Sequence, residues 1–96
     1  MPSIGDKFNT LTTVSGGGEL LVRPPSGVEV TIHNLYFSGS VDIYYTDGSN
    51  SLRLDSLKEE GYLQGVWNIT SSYYLVLKNP TGSALVYGYD GVVTKA

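Results

Sequence analysis

Apolar residues recur at every second position within short runs of β-branched and aromatic types, and clusters of turn residues separate the runs. This alternation predicts strands over residues 8–14, 19–23, 28–37, 41–46, 51–57, 62–70, 73–79 and 84–89. The breaks carry their own chemistry. Gly16-Gly17-Gly18, Arg23-Pro24-Pro25-Ser26-Gly27, Ser38-Gly39-Ser40, Asp47-Gly48-Ser49-Asn50 and Asn79-Pro80-Thr81-Gly82 supply positive or fixed φ where a chain reverses. Only the segment 57–61, with Lys58-Glu59-Glu60, tolerates a helical turn. The predicted fold is all-β, an antiparallel β-sandwich of about eight strands, jelly-roll-like. It forms a single domain over residues 1–96, in which the weakly apolar residues 1–7 are expected to form a flexible arm.

Two departures from simple alternation refine this picture. Val28, Val30 and Ile32 alternate, but Leu35 and Phe37 continue one position out of phase, so a β-bulge is expected at His33-Asn34. The in-phase set Val30, Ile32, Leu35, Ile43, Leu52, Leu54, Trp67, Leu75, Leu77, Leu85 and Tyr87 is the expected core. Tyr44, Tyr74, Val76 and Val86 lie opposite these core positions on the same strands, where a wetted sheet face would be polar. These four residues are the candidate oligomer interface.

Composition points the same way. Hydrophobic residues are 41% of the 96-residue chain and charged residues 16%, below the roughly one-quarter of an average soluble protein. A domain this small, without cysteine and so without disulfides, gains from self-association. The net charge of −3 comes from scattered residues with no Lys/Arg cluster, so nucleic acid is not an expected partner. No run approaches the roughly 20 apolar residues of a membrane span, and the start lacks a secretory signal, so a soluble protein folded in a reducing cytoplasm is expected.

Catalytic chemistry finds little support. His33 is the only histidine and sits in mid-strand, where a structural or interface role is simpler than general base catalysis. Asp42, Asp47, Asp55, Glu59, Glu60 and Asp90 are dispersed and read as turn formers and solubilising charges. Asp47-Gly48-Ser49-Asn50 lacks the twelve-residue calcium pattern and reads as a hairpin turn. The glycine triplet leads into no helix and so lacks the context of a phosphate loop, and the sequon Asn68-Ile69-Thr70 reads as strand. No catalytic residue, metal site or cofactor is expected. The abundant aromatic residues, eight tyrosines among them, suit a surface that is partly dry and partly wet. Such a surface serves a subunit contact, or a sugar-binding face in which rings stack on pyranoses while Asp and Asn orient hydroxyls.

The run Val22-Arg23-Pro24-Pro25-Ser26-Gly27-Val28-Glu29-Val30-Thr31-Ile32-His33-Asn34-Leu35-Tyr36, followed by Val41-Asp42-Ile43-Tyr44-Tyr45-Thr46-Asp47-Gly48, Tyr74-Leu75-Val76-Leu77-Lys78-Asn79 and Gly88-Tyr89-Asp90-Gly91, resembles small virion proteins of tailed bacteriophages. The resemblance covers most of the chain but rests on strand and turn strings. It implies a β-sandwich that assembles as a homo-oligomer, a trimer in the first instance. Such an assembly would bind the phage major capsid protein at the capsid surface and decorate or reinforce the shell, after synthesis in the host cytoplasm. The alternative is a carbohydrate-binding, lectin-like module on a phage tail or fibre, with a glycan as partner.

Overall fold

The computed structural model describes residues 3–96. Eight strands run in chain order: β1 (Lys7–Val14), β2 (Glu19–Val22), β3 (Glu29–Phe37), β4 (Val41–Thr46), β5 (Ser51–Leu57), β6 (Gly61–Ile69), β7 (Tyr74–Lys78) and β8 (Leu85–Lys95). They form two four-stranded antiparallel sheets, β1-β8-β3-β6 and β2-β7-β4-β5. Every connection except the β4–β5 hairpin crosses from one sheet to the other, which makes the sandwich jelly-roll-like. The segment Lys58-Glu59-Glu60 is a tight link without helix.

One strand is longer than its sequence predicts. β8 continues through Lys95, past the expected end at residue 89. Gly91 lies between Phe8 and Ile32 in the register, and a Cβ there would overlap the carbonyl oxygen of Thr31. Gly88 stands in the same relation to the carbonyl of Thr10. Both glycines serve close backbone approach inside a sheet.

The bulge expected at His33-Asn34 is present, since the register shifts between Ile32 and Asn34 on both sides of β3. It widens across the sheet. Inward pairs Ile32/Gly91 and Leu35/Tyr89 are spanned by one intervening residue on β8, by His33 and Asn34 on β3, and by Gln64, Gly65 and Val66 on β6. The shift restores Leu35 and Phe37 to the inner face.

The core between the sheets contains Val30, Ile32, Leu35, Ile43, Leu75, Leu77 and Tyr87 as the alternation predicts, joined by Val22, Val41 and Ile69. Each such side chain stabilises the fold by about 1.5–3 kcal/mol relative to exposure. Trp67 and Leu85 pack only partly against it. Leu52 and Leu54 do not belong to the core; they are 66% and 44% exposed. β5 is an edge strand, and a register shift opposite Ile43/Tyr44 leaves Leu54 as the unpaired extra residue. Leu52 faces the inner side opposite Tyr45, where the sandwich is open.

Polar groups close the ends. Asn79 is fully buried and joins three segments. Its Nδ2 donates to the carbonyls of Val14 (3.1 Å) and Ser83 (2.7 Å), and its Oδ1 accepts from the backbone N–H (3.0 Å) and hydroxyl (2.7 Å) of Thr81. Of the expected amino-terminal arm, residues 1–2 lie outside the described residues. The N–H of Gly5 donates to the Val93 carbonyl (2.8 Å) and the N–H of Val93 donates to the Asp6 carbonyl (2.9 Å), so this part of the arm extends the β1–β8 ladder.

Candidate functional site

Antiparallel partners point to the same side of a sheet, so register alone assembles the outer face of the β2-β7-β4-β5 sheet. Leu21, Val76, Tyr44 and Arg53 form its central cross-strand row. Glu19, Lys78, Asp42 and Ser56 form a polar row on one side, where the Ser56 hydroxyl donates to Asp42 (2.6 Å). Tyr74, Thr46 and Ser51 form the row on the other side. The Arg23 guanidinium lies 4.4 Å from the centre of the Tyr74 ring, and its Nε–H is held by the Ser71 carbonyl (2.8 Å). Together these rows shape a shallow concavity of about 430 Å³. Tyr44, Tyr74 and Val76 are thus brought together, an apolar centre with a polar rim. Tyr74 and Val76 are nonetheless each only 8% exposed within one chain. Val86 is not part of this patch; it pairs with Thr13 on the other sheet.

Further accessible apolar surface near these residues comes from two that alternation assigned to the core. Leu52 of β5 stands beside Tyr45 and the loop residue Tyr73, which is 53% exposed, and Leu54 is exposed on the same strand. The rings of Tyr45 and Tyr73 stack with centres 6.5 Å apart, and Leu52 joins them around a second concavity of about 220 Å³. Tyr44 is opposite Arg53 and Tyr45 opposite Leu52, so the free β5 edge is apolar on its inner side at Leu52 and carries Arg53 on its outer side. The sequence signal for this was the phase change between Leu54 and Leu57, which parallels the one in β3.

The outer face of the other sheet is different in kind. Leu11, Gly88, Tyr36 and Tyr62 form one cross-strand row, and Asn9, Asp90, Asn34 and Gln64 the next. A shallow concavity of about 400 Å³ opens beside Leu11, Tyr36 and Asp90, while Gly88 itself is buried with the Leu11 side chain packed over it. The Tyr36 hydroxyl donates to Asp90 Oδ2 (3.2 Å). Burial first, and then the bond to Asp90, raise the Tyr36 phenol above its ordinary value.

The remaining candidates take structural places. His33 is exposed within the bulge. Asp47 caps its own turn: its Oδ1 accepts from the N–H groups of Asn50 (2.6 Å) and Ser49 (2.8 Å), which lowers its carboxyl below the usual range. Gly48 takes φ +95° and its N–H donates to Thr46 Oγ1 (3.0 Å), the hairpin geometry expected of this segment. Among the described residues, no group of three or more His, Cys, Asp or Glu side chains is placed to hold a metal ion.

With this geometry in view, similarity to known proteins lies in the fold. No protein-family model matches the chain, and no curated protein matches it in sequence. The chain is a two-sheet β-sandwich whose fold is shared with the core of Drosophila NLP, at 13% identity and a TM-score of 0.53, over 91% of this chain and 98% of that one. That structure is described as giving insight into pentamer formation and histone binding. A pentameric capsid protein isolated from metagenomic phage sequences also has this fold, at 13% identity and a TM-score of 0.50 over 88% of this chain. This chain spans 61% of the capsid protein's length.

Proposed function

We propose that this chain is a non-enzymatic structural protein of a bacteriophage virion, a homo-oligomer that binds the capsid surface and reinforces the shell. The observation that carries the reading is the apolar surface at the β5 edge, with Leu52 66% and Tyr73 53% exposed on a chain of low charge. Contiguous apolar surface with aromatic anchors and few charges is what a subunit contact requires. The contact centres on Leu52, Leu54 and Tyr45 and reaches Tyr44 on the far side of the edge. Its copies pack through side chains rather than by extending the sheet, because the bulge at Leu54 and the neighbouring Arg53 and Asp55 disfavour edge-to-edge pairing. The strand and turn strings that resemble phage virion proteins, and the fold shared with a phage capsid protein, supply the setting. A preformed ring presents the same capsid-binding surface several times, so weak single contacts combine into tight attachment without turnover.

Light scattering behind a sizing column tests the oligomer. A mass of three or five times the single chain at tens of micromolar is expected, three following the resemblance and five the pentameric fold relatives. Leu52→Glu, a change at an exposed site that leaves the monomer folded, should release single chains because it places an unpaired charge in the contact. A monomeric mass for the unaltered protein refutes the oligomer. Copy-number mass spectrometry of purified particles tests the capsid role, and absence of the chain from particles refutes it.

A further inference from the structure

The outer face of the β1-β8-β3-β6 sheet presents two adjacent rows that a dry subunit contact would not use. One is a line of amide and carboxylate side chains, Asn9, Asp90, Asn34 and Gln64, each on a different strand. Neighbouring strands are about 4.8 Å apart, so this line spans about 14 Å. The Tyr36 hydroxyl occupies Asp90 Oδ2, which leaves Oδ1 open, and the amides of Asn9, Asn34 and Gln64 make no side-chain hydrogen bond among the described residues. The second row sets Leu11 and the Tyr36 ring around the shallow concavity and continues to Tyr62, which is 65% exposed. The Tyr36 and Tyr62 rings lie with centres 6.5 Å apart and planes 43° from parallel, a tilted platform rather than a closed stack.

We propose that this face binds a neutral oligosaccharide laid across the strands, its apolar ring faces on Tyr36 and Tyr62 and its hydroxyls on Asn9, Asp90, Asn34 and Gln64. The argument is one of matched chemistry. A pyranose has one apolar face and an edge of paired hydroxyls, each both donor and acceptor. A carboxylate oxygen beside an amide supplies an acceptor and a donor side by side, as Asp90 and Asn9 do as direct cross-strand partners. Asn34 makes the same pairing with Asp90 from the other side, one strand spacing away. A second protein copy would have to satisfy every one of these polar groups or leave it buried without a partner, which costs about 1–3 kcal/mol each. The concavity beside Leu11, Tyr36 and Asp90 gives a ring substituent room to enter. The single carboxylate in the row, with no basic residue in it, favours neutral over acidic sugars.

The probes are maltohexaose, cellohexaose, mannohexaose and chitohexaose, each added at millimolar concentration to the full-length protein and followed by saturation-transfer NMR and calorimetry. At least one should bind, and Tyr62→Ala, at an exposed site the fold does not need, should weaken it about tenfold. Asp90→Ala should do the same, and Ser49→Ala, in the exposed β4–β5 turn of the opposite sheet, should leave binding unchanged. Absence of binding to all four oligosaccharides overturns the proposal. So does binding that survives both Tyr62→Ala and Asp90→Ala. Because the β5 edge is read by native mass and this face by sugar binding, either can fail without the other.

Discussion

Asn79 is the residue on which the end of the sandwich depends, and its replacement tests the packing argument most directly. In Asn79→Ala the carbonyl of Val14, buried beneath the β1–β2 turn, loses its Nδ2 donor, and the Thr81 N–H loses its acceptor. Ser83 sits in a more open turn and keeps the Thr81 hydroxyl at 3.0 Å, so its carbonyl suffers less. One orphaned buried acceptor costs about 1–3 kcal/mol and the remaining bonds about 1 kcal/mol together once water replaces them, a total of about 3 kcal/mol. For a domain near 100 residues that lowers Tm by about 15 °C. Asn79→Asp has the same shape but sets a carboxylate oxygen against two carbonyl oxygens, so it should be the more damaging change at neutral pH. It should recover in acid, because its folded-state pKa is raised and the protonated group can again donate. Thermal melts followed by circular dichroism at fixed protein concentration provide the assay, since oligomerisation makes Tm concentration-dependent. A loss below about 1 kcal/mol for Asn79→Ala would show that water satisfies these groups and that the residue is a turn former only.

Two further outcomes follow from the sheets. Burial, with the Asp42 charge as a lesser cause, pushes the Tyr87 phenol up to about 12, so its contribution is complete below pH 10 and falls as pH rises from 10 toward 12; urea melts across that range should show stability declining, and less steeply in Tyr87→Phe. Gly91→Ala should cost about 3 kcal/mol or more because its methyl group meets the Thr31 carbonyl, whereas Gly82→Ala meets nothing within 4 Å and should be neutral; equal urea midpoints for the two would refute the close-approach reading.

The strands were legible because period-two alternation survives wherever one face is buried on both sides of a residue. Val30, Ile32, Leu75 and Leu77 each lie beneath two neighbouring strands, and each is at most 1% exposed. Alternation fails as a guide to depth at an edge. Leu52 has the right phase for the core, yet β5 has a partner on one side only and the sandwich gapes there, so phase fixes the direction of the side chain but not whether anything covers it. The last strand runs past its expected end at residue 89 for a related reason: a glycine such as Gly91 suits a turn and a close backbone approach equally, and only the presence of strands on both sides of β8 decides between them.

The candidate site was legible in fragments for the same physical reason. A second apolar face identifies Tyr44, Tyr74 and Val76 without saying which sheet holds them, and Val86 shares their pattern while facing away on the other sheet. Which residues stand side by side is set by cross-strand register, a long-range property that no window of sequence contains. The row Asn9, Asp90, Asn34, Gln64 draws its four members from four strands and has no local signature at all. Sheet proteins build their surfaces in this way, across strands rather than along them. The division of labour between an apolar β5 edge and a polar, aromatic β1-β8-β3-β6 face is therefore a consequence of jelly-roll-like strand order, which leaves the two outer faces on opposite sides of one small core and lets each carry its own chemistry.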